Sequence, residues 1–234
     1  MPRAESSFGP ICVDFTFADA PVAKCYTVWQ KYSPARLITP YSFQTSFPLS
    51  WKSRKRVHPR ALRMKIGLVS DTHLPRFGKD LPAVLKQGLI AQRVELILHL
   101  GDFTSLAVAD LFRRIAPFDA VAGNNDPDEI CRSFGRRKIL AVAGLRIGMI
   151  HGDGTRKTTL ERALDAFAGD TVDIILFGHS HSPYCKLHGD VWLINPGSPT
   201  DKRRNRSYSY AVLEIVNGRA TPTLHYYRDK HADL

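Results

Sequence analysis

The sequence is poor in the features that mark extracellular and membrane proteins. It has four cysteines, Cys12, Cys25, Cys131 and Cys185, far apart and without a CxxC pair. That argues against a disulfide framework and for free structural thiols in a reducing compartment, so a cytoplasmic location is expected. No apolar run approaches the roughly 18 residues that a membrane-spanning helix needs, and no integral membrane association is expected. The N-terminal region has no continuous apolar stretch leading to a small-residue cleavage site, which speaks against a secretory signal.

Residues 1–63 also lack the pattern of a folded domain. Pro10, Pro21, Pro34, Pro40 and Pro48 interrupt them, the aromatics are scattered, and neither a helical period nor a strand alternation is sustained. They hold ten Lys and Arg against three acids, so +7 of the formal charge of +11 lies there and +4 in the remaining 171 residues. The run Trp51-Lys52-Ser53-Arg54-Lys55-Arg56 reads as a solvated basic tail; contact with nucleic acid or anionic lipid is the alternative. Residues 1–63 are therefore read as a basic extension without an assignable fold. A translation start at Met64, a disordered tail and a targeting segment all fit. Residues 64–234 are read as one domain.

Within that domain, polar residues recur at the ends of short apolar runs. Ile66 to Ser70, Val94 to Leu100, Ala120 to Gly123, Ile147 to Ile150 and Ile174 to Gly178 read as buried strands. They are followed by Asp71 and His73, Asp102, Asn124, His151, and His179 with His181. In an α/β sheet the C-terminal strand ends share one edge, so residues distant in sequence can form one cluster there. Two divalent ions about 3.5–4 Å apart need a bridging carboxylate with imidazole and oxygen ligands around it, and Asp102 is the natural bridge. In Asp71-Thr72-His73 and His179-Ser180-His181 the ligands stand two apart, so an extended segment would present both to one side. Four histidines with two carboxylates suit Mn foremost, with Ni, Fe and Zn next, better than an all-oxygen Mg or Ca site.

These blocks, Ser70-Asp71-Thr72-His73, Gly101-Asp102, Gly123-Asn124-Asn125-Asp126, His151-Gly152 and Gly178-His179-Ser180-His181, resemble the five ordered motifs of the calcineurin-like metallophosphoesterases. The likeness runs from Met64 to the C-terminus, takes in Asn195-Pro196-Gly197-Ser198, and is greatest to the small bacterial and archaeal phosphodiesterase branch. It implies an α/β fold of two mixed sheets packed as a sandwich with helices outside. It places Asp71, His73, Asp102 and His181 around one metal, and Asp102, Asn124, His151 and His179 around the other. The reaction it implies is direct hydrolysis of a small phosphodiester by a hydroxide bridging the two ions. Most of the wider superfamily has a histidine directly after the asparagine ligand, which contacts phosphate and protonates the leaving oxygen. This chain has Asn125 there, a departure shared with the small phosphodiesterases, and asparagine supplies no proton at neutral pH. Asp126 could substitute if burial raised its pKa, but capping or orienting the turn before Pro127 is the favoured role.

The remaining features have plainer readings. His99, His188 and His225 fit no block and read as packing or surface residues. Asn195 to Ser198 reads as a turn near the site, Asp153 and Asp173 as partners that orient histidines or as solvated acids, and Lys202-Arg203-Arg204-Asn205-Arg206 as an exposed loop able to reach phosphate. Helices are expected over Leu81 to Arg93, Ser105 to Ile115 with Ser105 as cap, and Thr158 to Ala168. Strands are expected over Val191 to Ile194, Tyr208 to Val216 and Thr221 to Tyr227. Two other function classes stand beside the enzyme: a non-catalytic scaffold of the same fold, as in a eukaryotic trafficking subunit, and nucleic-acid binding through the basic extension. Physiological substrate and oligomeric state are not legible.

Overall fold

The computed structural model describes residues 63–231. The extension expected over 1–63, with Cys12 and Cys25, lies outside them apart from Arg63. The elements are β1 (Arg63–Val69), α1 (Ala83–Ala91), β2 (Leu96–His99), α2 (Leu106–Arg113), β3 (Phe118–Ala120), α3 (Asp128–Phe134), β4 (Arg137–Val142), β5 (Leu145–Ile150), α4 (Thr159–Ala166), β6 (Ile174–Leu176), β7 (Tyr184–His188), β8 (Val191–Asn195), β9 (Tyr208–Val216) and β10 (Arg219–Tyr227). They form two mixed sheets, ordered β10-β9-β1-β2-β3 and β4-β5-β6-β8-β7. Within the first, β1, β2 and β3 are parallel; within the second, β5, β6 and β8 are.

Alternation along the strands explains the layers. Ile66 and Leu68 of β1 face the second sheet, where they pack with Leu98, Ile147, Met149, Ile174, Leu176 and Ile194 in one buried cluster. Val69 and Ile97, on the opposite face, pack under Leu85 and Leu89 of α1 and Phe112 of α2. Helix α4 covers the outer face of the second sheet with Ala163 against Ile175 and Leu193. Helix α1 sits close because Gly67 leaves room for it: a Cβ there would lie 2.7 Å from the Leu89 side chain. Helix α2 starts where Ser105 Oγ accepts from the Ala107 N–H, and α4 opens with a full capping box between Thr158 and Glu161.

The sandwich is the expected one, with local differences. β3 ends at Ala120 rather than Gly123, because Ala122 N–H turns away to donate to the Gly135 carbonyl at 2.7 Å. The short helix α3 and the edge strands β4 and β7 were not anticipated. Among the described residues, no helix is long and apolar enough to cross a membrane, and Cys131 and Cys185 are free.

Candidate metal centre

Every expected ligand follows the C-terminal end of a parallel strand: Asp71 and His73 after β1, Asp102 after β2, Asn124 after β3, His151 after β5, His179 and His181 after β6. Backbone bonds stitch these loops together. Asp71 N–H donates to Gly101 O at 3.0 Å, His73 N–H to Asp102 O at 2.9 Å, and Gly178 N–H to His151 O at 3.1 Å. The loops approach so closely that a Cβ on Gly123 would lie 2.2 Å from Asp102 Oδ1, and one on Gly178 2.0 Å from Ser70 Oγ.

The ligand-bearing segments are not extended, contrary to expectation. Asp71, His73, Asp102, His179 and His181 have φ of 56°, 46°, 60°, 64° and 56°, all in the left-handed region that non-glycine residues rarely occupy. Such conformations cost on the order of 1 kcal/mol or more each and persist where the surroundings over-determine them. The two-apart ligands converge through these kinks rather than through strand alternation.

Two overlapping clusters result, Asp71 with His73 and His181, and Asp71 with Asp102 and His151, all buried. Asp71 Oδ1 lies 3.3 Å from His181 Nε2 and 3.9 Å from the Nε2 atoms of His73 and His151. Asp102 Oδ2 lies 3.3 Å from His151 Nε2 and 3.7 Å from His73 Nε2. Both carboxylates thus stand between imidazoles of different clusters. Asn124 and His179 are less enclosed and meet at the rim, where His179 Nδ1 lies 3.0 Å from Asn124 Oδ1.

The chain's own hydrogen bonds aim the ring nitrogens. His151 Nδ1–H donates to Leu100 O at 2.7 Å and His181 Nδ1–H to Asp201 O at 2.6 Å, which leaves each Nε2 toward the carboxylates. Of the two acids read either as orienting partners or as solvated, Asp153 and Asp173, the second does not orient a histidine. Asp173 instead accepts from Arg146 N–H at 2.7 Å, at the start of the β5–β6 pair. Asp71 Oδ2 is held by Ser70 Oγ–H at 2.6 Å and His179 N–H at 2.9 Å.

Asp126 is committed to the backbone. It accepts from the N–H groups of Asp102, Thr104 and Gly123 at 2.7, 2.6 and 2.7 Å, the orienting role favoured from sequence, so no free oxygen is left to hand a proton to a substrate. Asn125 lies over Asp102, its N–H and Nδ2–H donating to the two carboxylate oxygens at 2.8 and 2.6 Å.

The Asn195-to-Ser198 segment does more than turn. Asn195 Nδ2–H donates to Gly178 O at 2.8 Å and Ser180 Oγ at 3.1 Å, Ser198 Oγ–H to Asp71 O at 2.7 Å, and Thr200 Oγ–H to Thr72 O at 2.6 Å. Asn205 Nδ2–H reaches His181 O at 2.9 Å. These residues fix both kinked ligand segments. His99 is fully buried among Phe103, Phe112 and Phe118, with Nε2 3.2 Å from Thr72 Oγ. His225 stacks on Tyr210 and His188 ends exposed on β7.

The arrangement calls for cations. Among the described residues, no Lys or Arg pairs with Asp71 or Asp102, which burial alone would push toward neutrality. Histidine partners nevertheless hold both below the ordinary carboxylate range. Burial opposes charge on His151, but the neighbouring carboxylates of Asp102 and Asp71 outweigh it and push its pKa up to about 9. His181 is raised against burial by Asp71 in the same way. Asp71 Oδ1 and His151 Nε2, both buried, have no hydrogen-bond partner, and His73 Nε2 faces His181 Nε2 at 3.3 Å. Mixed nitrogen and carboxylate donors of this kind fit divalent transition metals.

A family model for the calcineurin-like phosphoesterase superfamily domain matches residues 64–218. The chain belongs to that superfamily. It is 35% identical over 146 residues, 60% of this chain and 80% of the relative, to a probable metallophosphoesterase of Methanothermobacter thermautotrophicus. It is 30% identical to a phosphodiesterase of Methanocaldococcus jannaschii, over 57% of this chain and 83% of that one. Among solved structures, Vps29 of Entamoeba histolytica, crystallised with zinc, matches with a TM-score of 0.54 at 21% identity, covering 70% of this chain and 99% of its own; at that identity the likeness concerns the fold. The superfamily and the sandwich agree with the expectation drawn from the five motifs.

Proposed function

We propose that the protein is a metal-dependent phosphodiesterase that hydrolyses a small phosphodiester directly, without a covalent intermediate on the chain. Asp71, His73, Asp102 and His181 hold one divalent ion, and Asp102, Asn124, His151 and His179 a second, with Mn the preferred metal and Ni, Fe, Zn or Mg as substitutes. When bound, such ions generate a nucleophile from water at neutral pH and neutralise charge developing on the phosphoryl oxygens. The observation that carries this reading is the pair of buried, partnerless ligand atoms, Asp71 Oδ1 and His151 Nε2, inside a cluster of facing imidazoles.

The chain's residues then divide the work. Leu100 O and Asp201 O keep His151 and His181 in the tautomer that presents Nε2. Asn125 spends its N–H and Nδ2–H on the Asp102 carboxylate and has no releasable proton, and Asp126 is engaged elsewhere. Leaving groups that depart without protonation are therefore favoured. All ligands lie within residues 64–234, so the catalytic unit is that span and residues 1–63 are dispensable for turnover.

The test is an assay of chelator-stripped protein resupplied with Mn, Ni or Mg, on bis(p-nitrophenyl) phosphate and p-nitrophenyl phosphate. Diester turnover restored best by Mn or Ni, with the monoester slow, is expected. No turnover with any metal, at verified metal loading, would point to a scaffold instead.

A further inference from the structure

A cavity of about 550 Å³ opens beside His179, between the loop that leads into α4 and the turn before β7. That size falls within the roughly 300–1,000 Å³ usual for small-molecule sites and far exceeds what a methyl or ethyl ester arm fills. Its walls are of three kinds. Phe177, Leu160, Pro183 and Tyr184 make an apolar side, the Phe177 and Tyr184 rings standing 6.1 Å apart and tilted by 52°. Ser180 and Ser182 place hydroxyls on the side of His179. Lys157 and Arg203 bring positive charge, and no acid lines the cavity.

The cations differ in how firmly they are held. Lys157 Nζ pairs with Asp165 at 2.5 Å. The Arg203 guanidinium meets Asp201 only through Nε, at 3.8 Å. Arg162 is a fixed wall, its guanidinium donating to the carbonyls of Gly152, Arg156 and Lys157. A purely apolar ligand would leave the Arg203 charge unused, and a purely anionic one would leave the aromatic side unused. A flat ring, a hydroxylated spacer and a phosphate, in that order, satisfy all three walls.

We propose that this cavity is the subsite for a nucleoside arm, so that the diester substrate is a nucleotide ester. The base lies against Tyr184, the sugar beside Ser180 and Ser182, and the phosphate between His179 and Arg203. The assignment rests on the phosphodiesterase reading for its chemistry but not for its binding. It is tested first by calorimetric titration of thymidine 5′-monophosphate and of inorganic phosphate into metal-stripped protein in excess chelator. The nucleotide should bind roughly tenfold or more tightly than phosphate, since stacking of one base on an aromatic side chain is commonly worth that much. Tyr184→Ala should remove most of the difference and Tyr184→Phe should keep it. Ser182→Trp, which fills the cavity from an exposed loop, should remove it even where the alanine variant fails to fold. Equal affinity for the two ligands, or a nucleotide preference that survives Ser182→Trp, would overturn the subsite. With Mn restored, thymidine 5′-(p-nitrophenyl phosphate) should outrun methyl p-nitrophenyl phosphate, which shares its leaving group, and the ratio should fall in the same variants. Absence of turnover on both esters, with nucleotide binding intact, would sink the hydrolase reading and support the subsite.

Discussion

The two sheets end in unlike chemistry. The sheet containing β1, β2 and β3 terminates its parallel strands in oxygen donors, Asp71, Asp102 and Asn124, with His73 as its one imidazole; the sheet containing β5 and β6 terminates in imidazoles only, His151, His179 and His181. Alone, the first edge would gather two buried carboxylates without positive charge, and the second would gather rings with nothing to coordinate. The site exists only where the sheets meet, and what brings them together is the apolar cluster around Ile66, Leu98, Ile147 and Leu176. The geometry of the site is thus set by inter-sheet packing, while the chemical identity of each half is set by the residues that follow each strand.

The sharpest way to break the first half is Asp102→Ala. It removes a carboxylate that faces imidazoles from both sheets, so diesterase activity should fall by orders of magnitude in a metal-replete assay, whereas Asp173→Ala, on an acid the site does not use, should leave turnover near wild type. A smaller effect, in the opposite direction, should follow Asn125→His. Imidazole can protonate a departing oxygen, a contribution of roughly 10² to 10⁴ in rate when geometry is right. Monoesterase activity should rise and the dependence of rate on leaving-group pKa should flatten across a series of aryl phosphates; an unchanged profile would mean that another group already supplies the proton.

The seam itself can be loosened without touching a ligand. Asn195→Ala deletes the donor that holds Gly178 and Ser180, on either side of His179, and such outer partners are typically worth about 10- to 100-fold in metal affinity or activity. Metal titration by calorimetry should show weaker binding, partly restored in Asn195→Gln if the amide reaches the same carbonyl.

Much of this was legible in the sequence because the informative residues sit at strand ends. Runs such as Ile66-Gly67-Leu68-Val69 and Ile174-Ile175-Leu176 are buried on both faces and read as strands by their composition, so the polar residues after them stood out. β4 and β7 were not legible because they are edge strands with no fully buried residue, with Arg137, Lys138 and Lys186 diluting any alternation. Helix α3, with seven residues, is too short to display a period. The left-handed kinks at the ligands, and the grip of Ser198 and Thr200 on the Asp71 loop some 130 residues away, are tertiary facts. A local reading of Asn195-Pro196-Gly197-Ser198 sees only a turn.

His99 supplies the smallest effect on activity and a measurable one on stability. Its burial among phenylalanines depresses its pKa to about 3. A folded-state pKa below the unfolded value of about 6.5 means that the unfolded chain binds the extra proton. The stabilisation from His99 is therefore complete above about pH 6.5 and is lost as pH falls toward 3. His99→Phe should flatten that part of the pH–stability curve, and His99→Ala should destabilise by roughly 2–4 kcal/mol through the cavity it leaves. Chemical denaturation at several pH values distinguishes the two.

The central claim is that the two half-sites together hold two divalent ions on which turnover depends. The direct measurement is metal stoichiometry by elemental analysis alongside diesterase rate, for protein stripped by chelator and then titrated with Mn. The account predicts no activity in the stripped protein and activity rising with occupancy until about two equivalents are bound. Full diesterase activity in excess chelator, with metal content verified as negligible, would contradict it.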